Sequence, residues 1–205
     1  MGETIERFPL FPLGMVLLPR EVVPLHIFED RYKQMVDECL ETDSEFGMLW
    51  RADTGLREVG CTAEITQLLD RMDDGRMNIL IQGAHPFRLK RRIDHLDYPA
   101  GDIELLDEEP GEDDDAGAAA RRGYADLVER VTDSRPSDSD LAQLDSYGMA
   151  ATIALELEAK QELLELRSEP ARLYRLSSLL AEARKRYDFS ERASEQAKSN
   201  GKVRH

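Results

Sequence analysis

Apolar residues repeat along the chain with two different periods, and the change between them divides the sequence. From residue 45 to residue 109, short runs alternate apolar and polar side chains, as at Met77, Ile79 and Ile81. That period of two is typical of strands with one buried face. The sequence DDG at residues 73–75 predicts a hairpin turn whose glycine takes a positive φ, and Gly83 predicts a bend. Short strands separated by turns predict a compact, mostly antiparallel barrel.

A proline-rich apolar stretch, residues 8–32 (FPLFPLGMVLLPREVVPLHIFEDRY), precedes these strands. Four of its prolines fall within sixteen residues: Pro9, Pro12, Pro19 and Pro24. A helix cannot run through that spacing, and interior strands would lose ladder hydrogen bonds. The stretch therefore predicts short edge-type strands joined by turns. Because it is densely apolar, we expect the rest of the chain to cover it.

Helical periodicity appears directly after this stretch and again after residue 116. Five apolar residues form one stripe that predicts a helix ending near residues 42–43: Tyr32, Met35, Val36, Cys39 and Leu40. Later stripes predict helices over Tyr124–Val131, Tyr147–Leu157 and Lys160–Leu166, and a long helix after Ser168. From Ser190 to His205 the sequence is polar and aperiodic, which predicts a frayed tail.

These patterns predict an α+β chain in four parts. Residues 1–109 form the β-barrel, 110–116 an acidic linker, 117–189 a helical bundle and 190–205 a flexible tail. The run DEEPGEDDD at residues 107–115 carries seven acidic side chains. Their mutual repulsion favours a solvated connection, and the run lacks the register of a calcium loop.

Composition narrows the function classes. A formal net charge of −15 argues against nucleic acid as the main partner, since phosphate binding needs clustered positive charge. The apolar run near the N-terminus is broken by prolines before it reaches transmembrane length, and we expect a cytoplasmic protein. The two cysteines, Cys39 and Cys61, lie in apolar patterns, which favours buried thiols over a disulfide.

The chain carries no motif with catalytic mechanics. It has no phosphate loop, no GxSxG elbow, no HExxH and no CxxC. The four histidines are isolated from one another and from the cysteines, and for His26 we expect a core histidine bonded to the backbone. The sequence thus predicts no catalytic residues, no metal site and no cofactor.

One candidate binding surface is apolar and centres on the single tryptophan. If Trp50 faces solvent beside Phe11, Met15 or Met48, the barrel carries an apolar patch of the sort that binds partner segments. The alternative is that Trp50 packs in the core.

A second candidate surface is basic. On a strand, Arg88, Lys90 and Arg92 share one face and could follow a phosphate backbone. The alternative, favoured by the acidic composition, is that these cations pair across the sheet with Asp102 and Glu104.

Several segments together carry a family resemblance. They are GMVLLP at 14–19, PLHIFEDRY at 24–32, VGCTAEI at 59–65, DDGRMNILIQG at 73–83 and KQELLEL at 160–166. In this order they resemble the N-terminal substrate-binding domain of the Lon ATP-dependent proteases, a kind of domain that cereblon-type proteins share. The resemblance implies a PUA-like pseudobarrel followed by a helical bundle, used to engage protein substrates. The zinc site of the cereblon branch needs four cysteines, and two cannot supply it.

The resemblance sets the leading functional hypothesis. The chain contains neither the ATPase nor the peptidase module of the full proteases, so we expect a stand-alone, non-enzymatic member. It would bind exposed apolar segments of unfolded or damaged proteins, with a link to an ATP-dependent protease. Two alternatives stay open: RNA binding through the PUA-like barrel, and a small-ligand or enzymatic pocket between the two halves. The sequence carries no prediction of oligomeric state.

Overall fold

The computed structural model describes residues 2–93, 95–111 and 115–200. The strands in these ranges are β1 (Thr4–Leu13), β2 (Val22–Ile27), β3 (Phe46–Ala52), β4 (Gly55–Leu56), β5 (Val59–Arg71), β6 (Met77–Ile93) and β7 (Ala100–Leu105). The helices are α1 (Asp30–Thr42), α2 (Ala116–Thr132), α3 (Asp138–Gln143), α4 (Ser146–Ala150), α5 (Leu157–Glu165) and α6 (Glu169–Asn200). None of the helices in the described ranges is both long and apolar enough to cross a membrane.

Five strands close into a barrel. β1, β7, β6, β5 and β3 are neighbours in that order, and β3 returns to β1 through a parallel pairing that runs from Leu10–Gly47 to Leu13–Trp50. The other pairings are antiparallel, and β2 lies outside the ring, paired with the first half of β6. The α+β class, a pseudobarrel followed by helices, is therefore confirmed.

The proline-rich stretch forms β1, a turn and β2. Pro9 and Pro12 lie in β1 and Pro24 in β2, so the stretch forms two strands joined by a turn, as predicted. The expectation of short edge-type strands holds for β2 but is wrong for β1, which is ten residues long and pairs with both β3 and β7. Between them, Leu17 and Leu18 are 2% and 0% exposed, which agrees with the expectation that the chain covers this stretch.

Gly83 allows the turn before β2 to approach the barrel. The Gly83 amide donates to the Glu21 carbonyl at 3.0 Å, and the Arg20 amide donates to the Gly83 carbonyl at 2.7 Å. A Cβ at position 83 would lie 2.1 Å from the Leu18 carbonyl oxygen. β6 continues through this position, so the predicted bend is not a break in the strand. Glycine is required there because another backbone comes too close for a side chain.

The β5–β6 hairpin and α1 match their sequence patterns. Gly75 takes a φ of 81° in the turn, and Met77, Ile79 and Ile81 are fully buried. In α1 the buried residues belong to the predicted stripe: Tyr32, Met35, Val36 and Cys39.

One predicted helix is wrong. Tyr147–Leu157 does not form a single helix; α4 ends at Ala150 and α5 begins at Leu157. The Thr152 hydroxyl donates to the Met149 carbonyl at 2.9 Å and lies 2.9 Å from the Tyr124 hydroxyl. Such side-chain bonds give the backbone an alternative to continuing the helix.

The tail prediction also differs from the structure, because α6 runs on from residue 190 to Asn200. The residues there are mostly good helix formers, and no proline or glycine interrupts them before residue 201. Loss of apolar periodicity in the sequence does not by itself end a helix. Residues 201–205 lie outside the described residues.

The acidic run at residues 107–115 is anchored at its start. The Glu108 carboxylate accepts two hydrogen bonds, at 2.8 and 2.7 Å, from the guanidinium of buried Arg172, and the Glu109 amide donates to the Arg167 carbonyl. The run was expected to be solvated throughout, but a buried arginine needs a carboxylate partner and Glu108 supplies it. Within the linker, residues 112–114 lie outside the described residues.

Buried apolar residues of the barrel and the bundle form one cluster. It includes Val59 and Cys61 of β5 together with Leu163 of α5 and Leu176 of α6. A smaller cluster holds Leu10, Leu49, Phe87 and Ile103. The helices therefore lie against the barrel and share its core.

Candidate functional site

An exposed apolar ridge runs along β2. Val22, Pro24 and His26 occupy alternate positions of the strand and point outward, while Leu25 and Ile27 point into the core at 9% and 1% exposed. Phe28 follows directly after the strand. Val22 is 54% exposed and Phe28 60%. We call Val22, Pro24, His26 and Phe28 the β2 ridge.

His26 holds the end of the ridge in place. Its Nδ1 lies 2.7 Å from the Asn78 side-chain oxygen, and its ring stacks on Phe28 with 6.0 Å between centroids and 23° between planes. The expectation of a core histidine bonded to the backbone is wrong. In a strand with Leu25 and Ile27 facing inward, position 26 must face outward.

The ridge borders the outer face of a three-stranded sheet. Pro24 pairs with Leu80 of β6, and Leu80 pairs with Gln67 of β5. Directly opposed residues share a face, so the half-buried Leu80 continues the apolar surface inward from the ridge. Two further leucines of β5 are exposed, Leu68 at 39% and Leu69 at 48%, but Leu68 pairs with the buried Ile79 and so does not share the face of Leu80. Leu80 is therefore the residue that extends the apolar surface of the ridge.

The two ends of this face carry carboxylates. Val22 pairs with Gln82, which pairs with Glu64, and His26 pairs with Asn78, which pairs with Asp70. Both acidic residues are exposed, and neither has an ion-pair partner among the described residues. They lie two strands from the ridge, about 10 Å away at the usual strand spacing.

The outer edge of β2 is poorly suited to pairing with a further strand. Among the described residues β2 pairs only with β6, so its other side is an open edge. Pro24 in mid-strand has no N–H to donate to a further strand. A peptide that paired with this edge as a further strand would therefore form one backbone hydrogen bond fewer.

The apolar patch considered around Trp50 does not exist as a surface. Phe11, Met48 and Trp50 are 5%, 2% and 6% exposed, and Met15 is half-buried against the core. Residues 46–50 of β3 are all buried, because the main core covers one side of the strand and the cluster of Leu49 covers the other. The structure therefore agrees with the alternative of core packing.

The basic strip is held by carboxylates of the neighbouring strand. Lys90 Nζ lies 2.9 Å from Glu104, and Arg91 Nε lies 2.8 Å from Asp102. The hydrogen bond from Arg91 lowers the pKa of Asp102, as that from Lys90 lowers the pKa of Glu104. A bulge between Leu89 and Arg91 shifts the register, which brings Arg91 to Asp102 and places Arg92 opposite Gly101. Arg88 lies 4.0 Å from Glu58. The strip does not form an unneutralised row of cations.

Two cavities lie away from the ridge, one within the helical part and one at its junction with the barrel. A groove of about 560 Å³ lies between α2, the loop after α4 and α6, lined mainly by apolar residues such as Leu127, Val131 and Ile153. At the junction of barrel and bundle, a cavity of about 180 Å³ lies beside Arg172 and Glu108. That volume is below the range usual for small-ligand sites, and the Arg172 guanidinium is already bound to Glu108 and Glu169. The junction thus offers little support for a small-ligand pocket.

The KQELLEL segment fixes the bundle on the barrel. Lys160 pairs with Glu21 of the turn before β2, and both side chains are 13% exposed. Gln161 Nε2 donates to the Val59 carbonyl at 3.1 Å. Polar contacts of α5 thereby hold the turn from which the β2 ridge begins.

The buried thiols show no sign of activation. Cys39 and Cys61 are free and buried, and burial raises the pKa of both. A reactive cysteine would need a lowered pKa. No cluster of three or more metal-ligating side chains occurs in residues 2–93, 95–111 and 115–200.

Comparison with known proteins places most of the chain in one group. The family model described as "ATP-dependent protease La (LON) substrate-binding domain" matches residues 7–182. Lon protease 1 of Syntrophobacter fumaroxidans is 26% identical over 195 residues, which cover 85% of this chain and 24% of that protein. Lon protease 1 of Bacillus subtilis is 24% identical over 184 residues, covering 80% and 24% respectively. The chain thus spans about a quarter of the length of these curated relatives.

Solved structures show the same architecture. A crystal structure of a Lon N-terminal domain protein from Xanthomonas campestris matches with a TM-score of 0.65 and 27% identity, covering 85% of this chain and 98% of that one. The N-terminal domain of the Mycobacterium avium complex Lon protease matches with a TM-score of 0.62 at 19% identity, covering 87% and 98%. The second likeness concerns the fold alone.

Proposed function

Because the chain belongs to the ATP-dependent protease La (LON) substrate-binding domain family, we propose that it binds exposed apolar segments of client proteins through the β2 ridge. Family membership supports a substrate-recognition module. The identity of the recognising surface, and the preference for apolar segments, are the parts that we add.

The observation that carries the proposal is the exposure of Val22 in β2 and of Phe28 directly after it, with Leu80 opposite Pro24 between them. An aromatic ring more than half exposed loses the stabilisation that burial would provide, roughly 1.5–3 kcal/mol for a side chain of this size. Contiguous exposure of this kind marks interaction surfaces, and aromatic side chains at their centre contribute most to binding.

Contact of a client segment with the outer face of the sheet suits the geometry better than pairing of that segment, as an added strand, with the edge of β2. Pro24 removes a donor from the open edge of β2 but adds an apolar ring to its outer face. A client segment lying across the face would cover Phe28, Pro24 and Leu80 without needing that donor. Such contacts depend on apolar side chains more than on a particular sequence, which is what recognition of unfolded segments requires.

The recognition role needs no chemistry within the chain. The matched family region is the substrate-binding domain, and the raised thiol pKa values offer no activated nucleophile. We assign peptide-bond cleavage to an ATP-dependent protease to which the bound client is passed, so the chain itself is not an enzyme.

Binding to an unfolded polypeptide tests the proposal. We would measure the Kd for a reduced, carboxamidomethylated polypeptide and for its folded, oxidised form, using the wild-type chain and two variants. Phe28→Ser removes the ring from the ridge; Phe189→Ser makes the same change at a residue of α6 that is 77% exposed.

The wild type should bind only the unfolded form, and Phe28→Ser should weaken binding about tenfold while Phe189→Ser leaves it unchanged. Thermal unfolding monitors that both variants stay folded, as exposed positions allow. Equal Kd values for the folded and unfolded forms, or an equal loss of affinity in the two variants, would exclude the ridge as the recognition surface.

A further inference from the structure

The outer sheet face next to the β2 ridge combines apolar side chains with unneutralised negative charge. Glu64 and Asp70 lie on β5, in register with Val22 and His26 of the ridge respectively. The apolar surface of Pro24 and Leu80 lies between these two positions.

Nearby cations do not neutralise these two carboxylates. Arg71 on the same strand binds Asp37 of α1 at 2.6 Å. At the hairpin, Arg76 binds Asp74 at 2.7 Å, and Lys33 of α1 binds Asp30 at 3.1 Å. Each of these three cations is therefore directed to another carboxylate, and within the part of the chain that the structure describes Glu64 and Asp70 have no ion-pair partner.

From this arrangement we propose that the face selects client segments in which lysine or arginine flanks apolar residues. The inference rests on the proposed function and specifies its substrate class. An extended segment places alternate side chains on one side every 6–7 Å or so, which lets apolar residues cover Pro24 and Phe28 while a long basic side chain spans the remaining distance to β5. Lysine and arginine suit that span because their stems are apolar and their ends charged. Acidic segments are disfavoured because they would bring like charges together.

The test uses three labelled peptides that share one apolar core and carry flanking lysine, glutamine or glutamate. Their Kd values are measured by fluorescence anisotropy at low and at physiological salt. One variant is Glu64→Gln/Asp70→Asn. The matched control is Glu158→Gln/Glu182→Gln, which changes the net charge equally at exposed positions of the helices.

The wild type should bind the lysine peptide about three- to tenfold more tightly than the glutamine peptide, as one or two exposed ion pairs allow. The glutamate peptide should bind most weakly, and added salt should narrow the differences. The Glu64/Asp70 variant should lose the preference, while the control should keep it.

Three results would overturn the inference, and they separate it from the proposed function. Equal Kd values for the three peptides, with Phe28→Ser still weakening all of them, would remove the charge preference and leave recognition by the ridge intact. A preference reduced equally in both double variants would assign it to the overall charge of −15 instead of this face. Absence of binding by any peptide, or binding unaffected by Phe28→Ser, would remove the ridge itself and this inference with it.

Discussion

Lys160 of α5 and Glu21 of the turn before β2 form an ion pair in which both side chains are 13% exposed. Glu21 also accepts a hydrogen bond from the Leu18 amide at 3.0 Å. The pair joins α5, which lies against the barrel, to the turn that leads into the β2 ridge. Removing one partner would leave the other charge nearly buried and unpaired.

Lys160→Met should therefore lower the free energy of unfolding by about 3 kcal/mol. Urea denaturation followed by circular dichroism measures the change. Glu21→Gln/Lys160→Met should recover part of the loss, because no unpaired charge is then buried. Lys90→Met serves as the control, since the Lys90–Glu104 pair is more exposed and should cost at most about 1 kcal/mol. An equal decrease in the free energy of unfolding for Lys90→Met and Lys160→Met would show that burial does not make the Glu21–Lys160 pair more important for stability than the Lys90–Glu104 pair.

Gly83→Ala should destabilise the protein by about 3 kcal/mol, because the new methyl group would lie 2.1 Å from the Leu18 carbonyl oxygen. Relief requires the turn to move away from β6, which breaks the hydrogen bonds between Gly83 and residues 20 and 21. Gly14→Ala is a matched control, since a Cβ there meets nothing within 4 Å. Differential scanning calorimetry should show a large drop in Tm for position 83 and almost none for position 14. A similar Tm for both variants would contradict the close approach described for Gly83.

Stability should fall as pH rises from about 10 to 12, in part through Tyr98. Burial, and the hydrogen bond that the Tyr98 hydroxyl donates to Glu38 at 2.5 Å, raise the pKa of Tyr98 to about 12. The unfolded chain loses this proton near pH 10, so the stabilisation is complete below that pH and is lost as pH approaches 12. Tyr98→Phe should make the decline shallower, whereas Tyr174→Phe, at a side chain 72% exposed, should leave it unchanged. Urea denaturation at a series of pH values measures this, and identical declines for wild type and Tyr98→Phe would refute the assignment.

The sequence correctly predicted those strands and helices that have one apolar face and one polar face. Met77, Ile79 and Ile81 alternate with polar neighbours, and α1 shows a single stripe, so each pattern defined both the element and its buried side. The Gly75 turn followed from glycine's freedom to take a positive φ.

Exposure could not be predicted where the pattern is apolar throughout. Residues 46–50 are buried on both faces of β3, so alternation gave no reason to place Trp50 inside or outside. The β2 ridge was missed for a related reason: the whole stretch was taken as core because it is rich in apolar residues. A signal was present, since Leu25 and Ile27 facing inward require His26 to face outward. Partners distant in sequence, such as Glu21 and Lys160, had no local signal at all.

The core shared by the barrel and the bundle has a consequence for dissecting this protein. A fragment ending at residue 109 would expose Val59 and Cys61 where Leu163 and Leu176 normally belong to the same cluster. The helices alone would lack the sheet that completes their interior. Residue 110 therefore marks a change of secondary structure but does not separate two independent folding units. We expect truncation there to unfold both fragments, and the barrel and the bundle of the whole chain to unfold in one thermal transition.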